Sequence, residues 1–282
     1  DAEHLLFTPA LPDRDAIPTI FAFPNEYTVG ITSLGYQVVW ATLAMRSDLE
    51  VSRLFTDVHE SLPRSPELVG FSLSWELDYV NILNLLEFLE VPIRSAVRGN
   101  NNPLIFGGGP VLSANPEPFA DFFDVILVGD GEDLLGNFIN AYQEVRTADR
   151  VTKLHRLAQV PGIYIPSLYQ VEYQGDSIAS INPIASTIPE TITKQTYRGN
   201  TLSVSSVVTE KAAWENIFMV EVVRSCPEMC RYCLASYLTL RFRVADVEES
   251  LIPAIDAGLE VTDRLGLLGA SVTQHPEFPA LL

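Results

Sequence analysis

Three cysteines carry the most specific chemistry in this sequence. Cys226, Cys230 and Cys233 lie within eight residues, and the 282-residue chain contains no other cysteine. An odd number of thiols in one tight cluster does not build a disulfide framework. The CxxxCxxC spacing instead lets three thiolates hold three corners of an iron–sulfur cubane, and the fourth iron then lacks a protein ligand. A small molecule can bind at that open iron and receive an electron from the cluster.

Two other uses of these cysteines compete with a cluster. A structural zinc ion normally takes four protein ligands, and the chain has no fourth cysteine. His275 is a candidate fourth ligand, but nothing in the sequence places it near the cysteines. Inert buried thiols are the remaining alternative. The sequence favours the iron–sulfur site over both.

The cysteine segment resembles that of the radical S-adenosylmethionine (radical SAM) superfamily. The resemblance rests on the CxxxCxxC spacing, on Tyr232 before the last cysteine and on a predicted strand just before Cys226. It implies a 4Fe-4S cluster on the three cysteines, whose open iron binds S-adenosyl-L-methionine (SAM). Cleavage of SAM then yields a 5'-deoxyadenosyl radical that abstracts hydrogen from a substrate. The resemblance also implies that Tyr232 contacts the adenine and that Gly269-Ala270-Ser271 contacts the methionine amino group.

Two glycine-rich turns lie earlier in the chain. Gly107-Gly108-Gly109-Pro110 and Gly129-Asp130-Gly131-Glu132 each follow a short apolar run. Together with Asn115-Pro116-Glu117-Pro118 they resemble the cobalamin-binding type of Rossmann domain that precedes the barrel in a large radical SAM subgroup. At the strand ends of a doubly wound sheet, such glycines let a ligand approach the backbone. The alternative is that they only form tight strand-to-helix turns.

The base-off cobalamin motif, Asp-x-His-x-x-Gly, is only partly present. In Asp57-Val58-His59-Glu60-Ser61-Leu62, a leucine stands where the motif has glycine. The segment also follows the second predicted strand, whereas the motif normally follows the first. We therefore interpret His59 as an ordinary loop histidine. Several members of the subgroup are thought to keep the domain without a histidine ligand, so cobalamin remains a candidate cofactor.

Apolar periodicity predicts the elements that position these motifs. Strands and helices alternate over residues 15 to 145, which predicts an α/β fold with a doubly wound, mostly parallel sheet. A hairpin, or two short edge strands, around Gly175-Asp176 follows, then a polar linker from about Pro189 to Gly199. The predicted strands lie at residues 19–23, 51–55, 68–73, 104–106, 125–128, 202–208, 217–223 and 265–268.

The pattern divides the chain into three predicted segments. Residues 1–188 form a cobalamin-binding-like Rossmann domain with a β-hairpin extension, and residues 189–214 form a linker and connecting strand. Residues 215–282 begin a radical SAM partial TIM barrel with its first β/α units. This last segment has 68 residues, whereas a full eight-unit barrel takes about 250. We therefore expect a fragment that cannot catalyse the full reaction alone.

Charge and composition limit the partners. The chain has 36 acidic and 18 basic side chains, a formal net charge of −18, which argues against a nucleic-acid backbone or an anionic membrane. The longest uncharged stretch, residues 27–45, contains polar residues and two glycines. We interpret it as a buried helix with its entry loop rather than a membrane span. The start, Asp1-Ala2-Glu3-His4, has no signal-peptide pattern, so a cytoplasmic location is expected.

These observations predict a radical SAM enzyme, or a fragment of one, with an unknown substrate and a reductant protein as partner. Methylation, methylthiolation and rearrangement follow only by analogy with the subgroup. The alternative is a non-catalytic iron–sulfur or ligand-binding module with a Rossmann-like domain. Formation of 5'-deoxyadenosine separates the two hypotheses.

Overall fold

The computed structural model describes residues 3–281, so Asp1, Ala2 and Leu282, at the ends of the predicted domains, lie outside the described residues. The strands are, in chain order, β1 (Glu3–Leu5), β2 (Ile17–Ala22), β3 (Leu49–Leu54), β4 (Leu68–Ser72), β5 (Leu104–Gly108), β6 (Val125–Leu127), β7 (Ile163–Tyr164), β8 (Tyr169–Gln174), β9 (Ser177–Pro183), β10 (Val207–Thr209), β11 (Ile217–Glu221), β12 (Val223–Arg224), β13 (Arg243–Val244) and β14 (Arg264–Leu268). The α-helices are α1 (Tyr27–Thr32), α2 (Leu34–Ala44), α3 (Tyr79–Phe88), α4 (Pro110–Ala114), α5 (Gly131–Glu144), α6 (Arg150–Leu157), α7 (Leu234–Leu238) and α8 (Ile252–Leu259).

Contacts divide the chain into two compact units whose segments interleave along the sequence. The first, here called the sheet unit, comprises Ile17–Pro24 and Glu50–Tyr197. The second, here called the cysteine unit, comprises the described residues of Asp1–Ala16, Asn25–Leu49 and Arg198–Leu282. The predicted domains are consecutive segments, whereas these contact units are not.

The sheet unit is built on a six-stranded sheet in the order β3-β2-β4-β5-β6-β7. Strands β2, β4, β5 and β6 run parallel, and β7 pairs antiparallel with β6. From β2 the chain moves to β3 on one side and then to β4 on the other, which is the reversal of a doubly wound fold. The predicted α/β class and mostly parallel sheet are confirmed.

Burial of the central strands explains their continuous apolar sequences. The first four residues of β4 and of β5 are all buried, as expected for parallel strands covered on both faces. Helix α5 contributes Phe138, whose ring centroid lies 5.0 Å from that of Phe106 on β5. These contacts form the core of the sheet unit.

One buried carboxylate links the sheet to two surrounding segments. Oδ2 of Asp124 lies 3.0 Å from Arg98 and 2.7 Å from Arg150, and it accepts a hydrogen bond from the backbone of Ile105 at 2.7 Å. Buried ionic groups need such partners because an unpaired charge in the interior is costly. Asp124 therefore has a structural role just before β6.

Some elements differ from the sequence expectation. The predicted strand 202–208 is shorter, because only β10 forms at its end. Residues 203–205 still pair with β11, since Ser205 N donates to Met219 O at 2.9 Å and Glu221 N donates to Ser203 O at 2.8 Å. Helix α6 and strand β7 are not predicted, since a two-residue strand has too little periodicity to detect. The predicted hairpin is present as β8 and β9.

The cysteine unit contains one β/α/β unit and a polar link between its distant segments. Strands β11 and β14 are parallel, and α8 lies between them in the chain. The buried side chain of Gln37 donates to Ile31 O at 2.6 Å and accepts from the backbone of Ser206 and Val207 at 2.9 and 3.1 Å. This amide ties α2 to β10.

The uncharged stretch of residues 27–45 forms the two short helices α1 and α2. Within residues 3–281, no helix has the length and apolar character needed to cross a membrane.

Candidate functional site

The three cysteines lie on the loop between β12 and α7. Cys233 directly precedes α7 and is its N-cap residue. All three cysteines are half-buried and none forms a disulfide. The residues between Cys226 and Cys230 are exposed to solvent. The thiols are therefore not part of the packed core and are accessible for chemistry.

Hydrogen bonds to α7 hold the loop in an unusual backbone conformation. Oγ of Ser225 donates to Ser236 O at 3.1 Å, and the Tyr237 hydroxyl donates to Met229 O at 3.0 Å. Ser225 and Met229 have φ angles of +72° and +50°. Residues other than glycine adopt positive φ rarely and at a cost in free energy. The strained positions directly precede Cys226 and Cys230.

The residue types on this loop fit an iron–sulfur cluster, whereas the three thiols are not gathered around one point. Across residues 3–281, no three His, Cys, Asp or Glu side chains are arranged to hold a metal ion. The Ser236 hydroxyl, 1% exposed and three residues after Cys233, has no hydrogen-bond partner in that same range. The loop thus carries the donors that a cluster requires, and binding requires the three thiols to converge. Ligation by these cysteines stays a prediction.

Tyr232 lies beside one of the thiols. Its side chain is 92% exposed. A hydrogen bond to Cys230, together with the charge on that thiol, raises the pKa of the Tyr232 hydroxyl. The ring is thus open to solvent next to the cysteine loop, and its contact with an adenine stays a prediction.

The structure places Gly269 beside the strand that leads into the cysteine loop. A Cβ atom at Gly269 would lie 2.7 Å from Val223 O, and Val222 N donates to Leu268 O at 2.8 Å. Gly269-Ala270-Ser271 therefore follows β14 at a point next to β12, three residues before Cys226. Close backbone approach explains the glycine, and a contact of this segment with SAM stays a prediction.

His275 has a structural role in this arrangement. Its side chain is buried, Nε2 lies 2.8 Å from Ala245 O, and Nδ1 accepts from the backbone of Glu277 at 3.1 Å. Both ring nitrogens are therefore engaged by backbone groups. A fourth metal ligand at this position would have to give up one of those hydrogen bonds.

The glycine turns of the sheet unit lie at the carboxyl ends of β5 and β6, as predicted. Gly107 and Gly108 end β5, and Gly131 begins α5. Gly109 has φ +115°, and a Cβ there would lie 2.6 Å from Leu73 O. Gly129 has φ +112°, and a Cβ there would overlap the backbone of Gln195. Close approach of the chain's own backbone explains both glycines, and a ligand role for them stays a prediction.

The segment predicted as a linker runs along the end of β6. Gln195 N donates to Val128 O and Asp130 N donates to Gln195 O, both at 3.0 Å. Oδ2 of Asp130 also accepts from Tyr197 N at 2.8 Å. The sequence does not reveal this pairing because Gln195 is far from β6 in the chain.

His59 makes only local contacts. Its Nδ1 lies 2.8 Å from Glu60 O, and its ring centroid is 5.6 Å from that of Phe88. These contacts are those of an ordinary loop histidine.

The sequence is similar to one known protein family and to one curated protein. Residues 38–166 match the family described as "Radical SAM proteins, N-terminal". The chain is 27% identical over 259 residues to the uncharacterized protein MJ0966 of Methanocaldococcus jannaschii, covering 90% of this chain and 49% of that protein. The chain therefore spans about half the length of this curated relative.

Two solved structures share the fold. One is the cobalamin-dependent S-adenosylmethionine radical enzyme OxsB with aqua-cobalamin and SAM bound (TM-score 0.51, 14% identity, 90% of this chain and 34% of that chain). The other is the radical SAM methyltransferase TsrM from Kitasatospora setae with tryptophan and a SAM analogue bound (TM-score 0.50, 14% identity, 91% and 48%). At 14% identity, these similarities establish the fold alone.

Sequence and fold comparisons point to the same class of protein. The match to the N-terminal family of radical SAM proteins covers residues 38–166, less than half of this chain. The two solved radical SAM enzymes share its α/β fold.

Proposed function

We propose that the chain is part of a radical SAM enzyme in which Cys226, Cys230 and Cys233 hold a 4Fe-4S cluster. The observation that carries this proposal is the presence of three free, half-buried thiols on the loop after β12, the short strand that follows the parallel strand β11. When bound, the cluster supplies the electron that cleaves SAM to methionine and a 5'-deoxyadenosyl radical.

The residues around the loop have separate roles in this proposal. Gly269-Ala270-Ser271 presents backbone groups beside β12, where a side chain at Gly269 would collide with Val223. The exposed ring of Tyr232 supplies an apolar face for the adenine. The exposed segment between Cys226 and Cys230 leaves room for the thiols to converge.

Cobalamin is the second proposed cofactor, and the sheet unit is its proposed site. Support comes from the doubly wound sheet and from the likeness to OxsB, whose structure contains aqua-cobalamin. Methyl transfer is one proposed reaction, since TsrM is a methyltransferase. A reductant protein and a cytoplasmic location accompany the proposal, because free thiols persist in reducing compartments.

The test is anaerobic reconstitution of the full chain with iron and sulfide, followed by incubation with SAM and dithionite. We expect about four irons per chain and formation of 5'-deoxyadenosine and methionine, both quantified by mass spectrometry. The Cys230→Ala variant, treated identically, should form neither product. A wild-type chain that holds the cluster and never cleaves SAM would contradict the enzymatic proposal and favour a non-catalytic iron–sulfur module.

A further inference from the structure

A second candidate site lies in the sheet unit, at the amino ends of β4 and β5. There a cavity of about 170 Å³ opens between the strand starts and helices α5 and α6. Its lining is mainly polar and includes Ser65, Glu67, Asn100, Asn102, Tyr142 and Lys153. The glycine turns lie at the opposite, carboxyl ends of the strands, so this cavity is distinct from them.

The hydrogen-bond acceptors around the cavity are already engaged. Glu67 receives a bidentate interaction from Arg146 and a hydrogen bond from the Tyr142 hydroxyl at 3.1 Å. Oδ1 of Asn100 accepts from Arg150 N at 2.7 Å, and Oδ1 of Asn102 accepts from Gly99 N at 2.9 Å. Engagement of the amide oxygens leaves the amide nitrogens of Asn100 and Asn102 as donors.

The cationic groups differ in how fully they are paired. Arg150 is occupied by Asp124 at 2.7 Å and by the carbonyl oxygens of Gly99, Asn102 and Pro103. Arg146 is held by Glu67. Nζ of Lys153 instead lies over the Tyr142 ring, 5.4 Å from its centroid, and has no hydrogen-bonded or ion-paired acceptor within residues 3–281.

Lys153 therefore lines this cavity with a positive charge that no ion pair within residues 3–281 neutralises. It is half-buried, and burial lowers the pKa of its ammonium group. A partly desolvated ammonium beside neutral amide donors favours an anionic partner, because a charge-assisted hydrogen bond is about twice as strong as a neutral one.

We propose that this cavity binds the oxyanion group of a small molecule, a carboxylate or a phosphate, through Lys153 and the side-chain amides of Asn100 and Asn102. Lys153 supplies the charge, and the two amides supply directional donors. The assignment is independent of the cluster and of SAM, since every group in it belongs to the sheet unit.

The first test is isothermal titration of the full chain with inorganic phosphate and, separately, with acetate, at constant ionic strength. We expect a dissociation constant on the order of 1 mM for at least one probe. The two probes distinguish a phosphate site from a carboxylate site. Lys153→Met keeps most of the side-chain volume and should weaken binding at least tenfold. Lys211→Met, at an exposed lysine, is the matched control and should leave binding unchanged.

A second measurement needs no variant. After reductive ¹³C-methylation of the lysines, saturation with the bound probe should raise the pKa of Lys153, because an anion favours the charged form. The methyl resonance of Lys211 should not change when the probe is added. Equal binding by wild type and a folded Lys153→Met variant, absence of binding by both probes, or an unmoved Lys153 pKa would overturn the proposal.

Discussion

Two regions of this chain carry sequence motifs: the glycine turns, which belong to the sheet unit, and the cysteine loop. The two regions differ in the contacts that their motif residues make. Gly109 and Gly129 meet the chain's own backbone, at Leu73 and Gln195. The three cysteines are free and the residues between the first two are exposed. The fold thus accounts for the glycines through packing, whereas no packing requirement accounts for the cysteines. Residues that the fold does not need are the stronger indication of function.

The largest expected effect follows from the cysteine side of this comparison. Replacing Cys230 with alanine removes one of the three proposed cluster ligands, so the iron and sulfide content after reconstitution should fall to background. The free energy of unfolding of the metal-free chain, measured with urea, should change by less than about 0.5 kcal/mol because the residue is outside the core. Retention of full iron and sulfide would show that Cys230 is not a ligand.

For the glycine turns, we expect that a substitution causes a large loss of stability instead. Gly129→Ala forces a side chain into positive φ and into the backbone of Gln195. Strain of this kind costs about 1–3 kcal/mol, and relief of the overlap adds to it. Urea unfolding should therefore show a loss of about 3 kcal/mol or more.

A second glycine of the same unit serves as control. Gly136 lies inside α5, and a Cβ there would meet nothing within 4 Å. Gly136→Ala should stabilise the protein by about 0.5–1 kcal/mol, since alanine favours a helix interior. Equal effects of the two substitutions would mean that close packing does not explain Gly129.

An intermediate effect is expected at high pH. Burial, followed by the charge of Glu67, raises the pKa of Tyr142 above the ordinary value of about 10. The unfolded chain therefore loses this proton first as the pH rises. The stability that Tyr142 contributes is complete below pH 10 and declines above it, by about 1.4 kcal/mol per pH unit.

The Tyr142→Phe variant isolates that contribution. Its free energy of unfolding should fall less steeply than that of wild type between pH 10 and 11, as measured by urea titration. The variant Tyr173→Phe, at an exposed tyrosine, should retain the wild-type slope. Identical slopes for all three proteins would contradict the assigned role of Tyr142.

The smallest effect concerns the anchoring of the cysteine loop. Ser225→Ala removes the hydrogen bond to Ser236 O and should cost about 1 kcal/mol in urea unfolding. Thr273→Ala, at an exposed hydroxyl, should change the stability by less than about 0.5 kcal/mol. A loss above about 3 kcal/mol for Ser225→Ala would place the loop within the core and weaken the contrast between the regions.

Sequence patterns predict local elements well here and long-range pairings poorly. The apolar runs of β4 and β5 identify a buried parallel sheet because both faces of those strands are covered. The link from Gln37 to Ser206, and the pairing of Gln195 with the end of β6, join segments far apart in the chain. Nothing in the local pattern of either segment specifies its partner.

At the candidate site, too, the sequence predicts the residues but not their arrangement in space. Residue type and spacing predict that Cys226, Cys230 and Cys233 are cluster ligands, since thiolates are the usual ligands of iron–sulfur clusters. Their arrangement in space depends on the loop conformation, including positive φ at Ser225 and Met229. No local sequence motif marks the cavity at Lys153, because its hydrogen-bond donors come from segments that only the fold brings together.

The most direct test of the central claim is an electron paramagnetic resonance spectrum of the anaerobically reconstituted, reduced full chain, recorded with and without SAM. We predict a 4Fe-4S signal that shifts when SAM is added, since SAM is proposed to bind the open iron. A 4Fe-4S signal that SAM leaves unchanged, or a chain that binds zinc and forms no cluster, would contradict it.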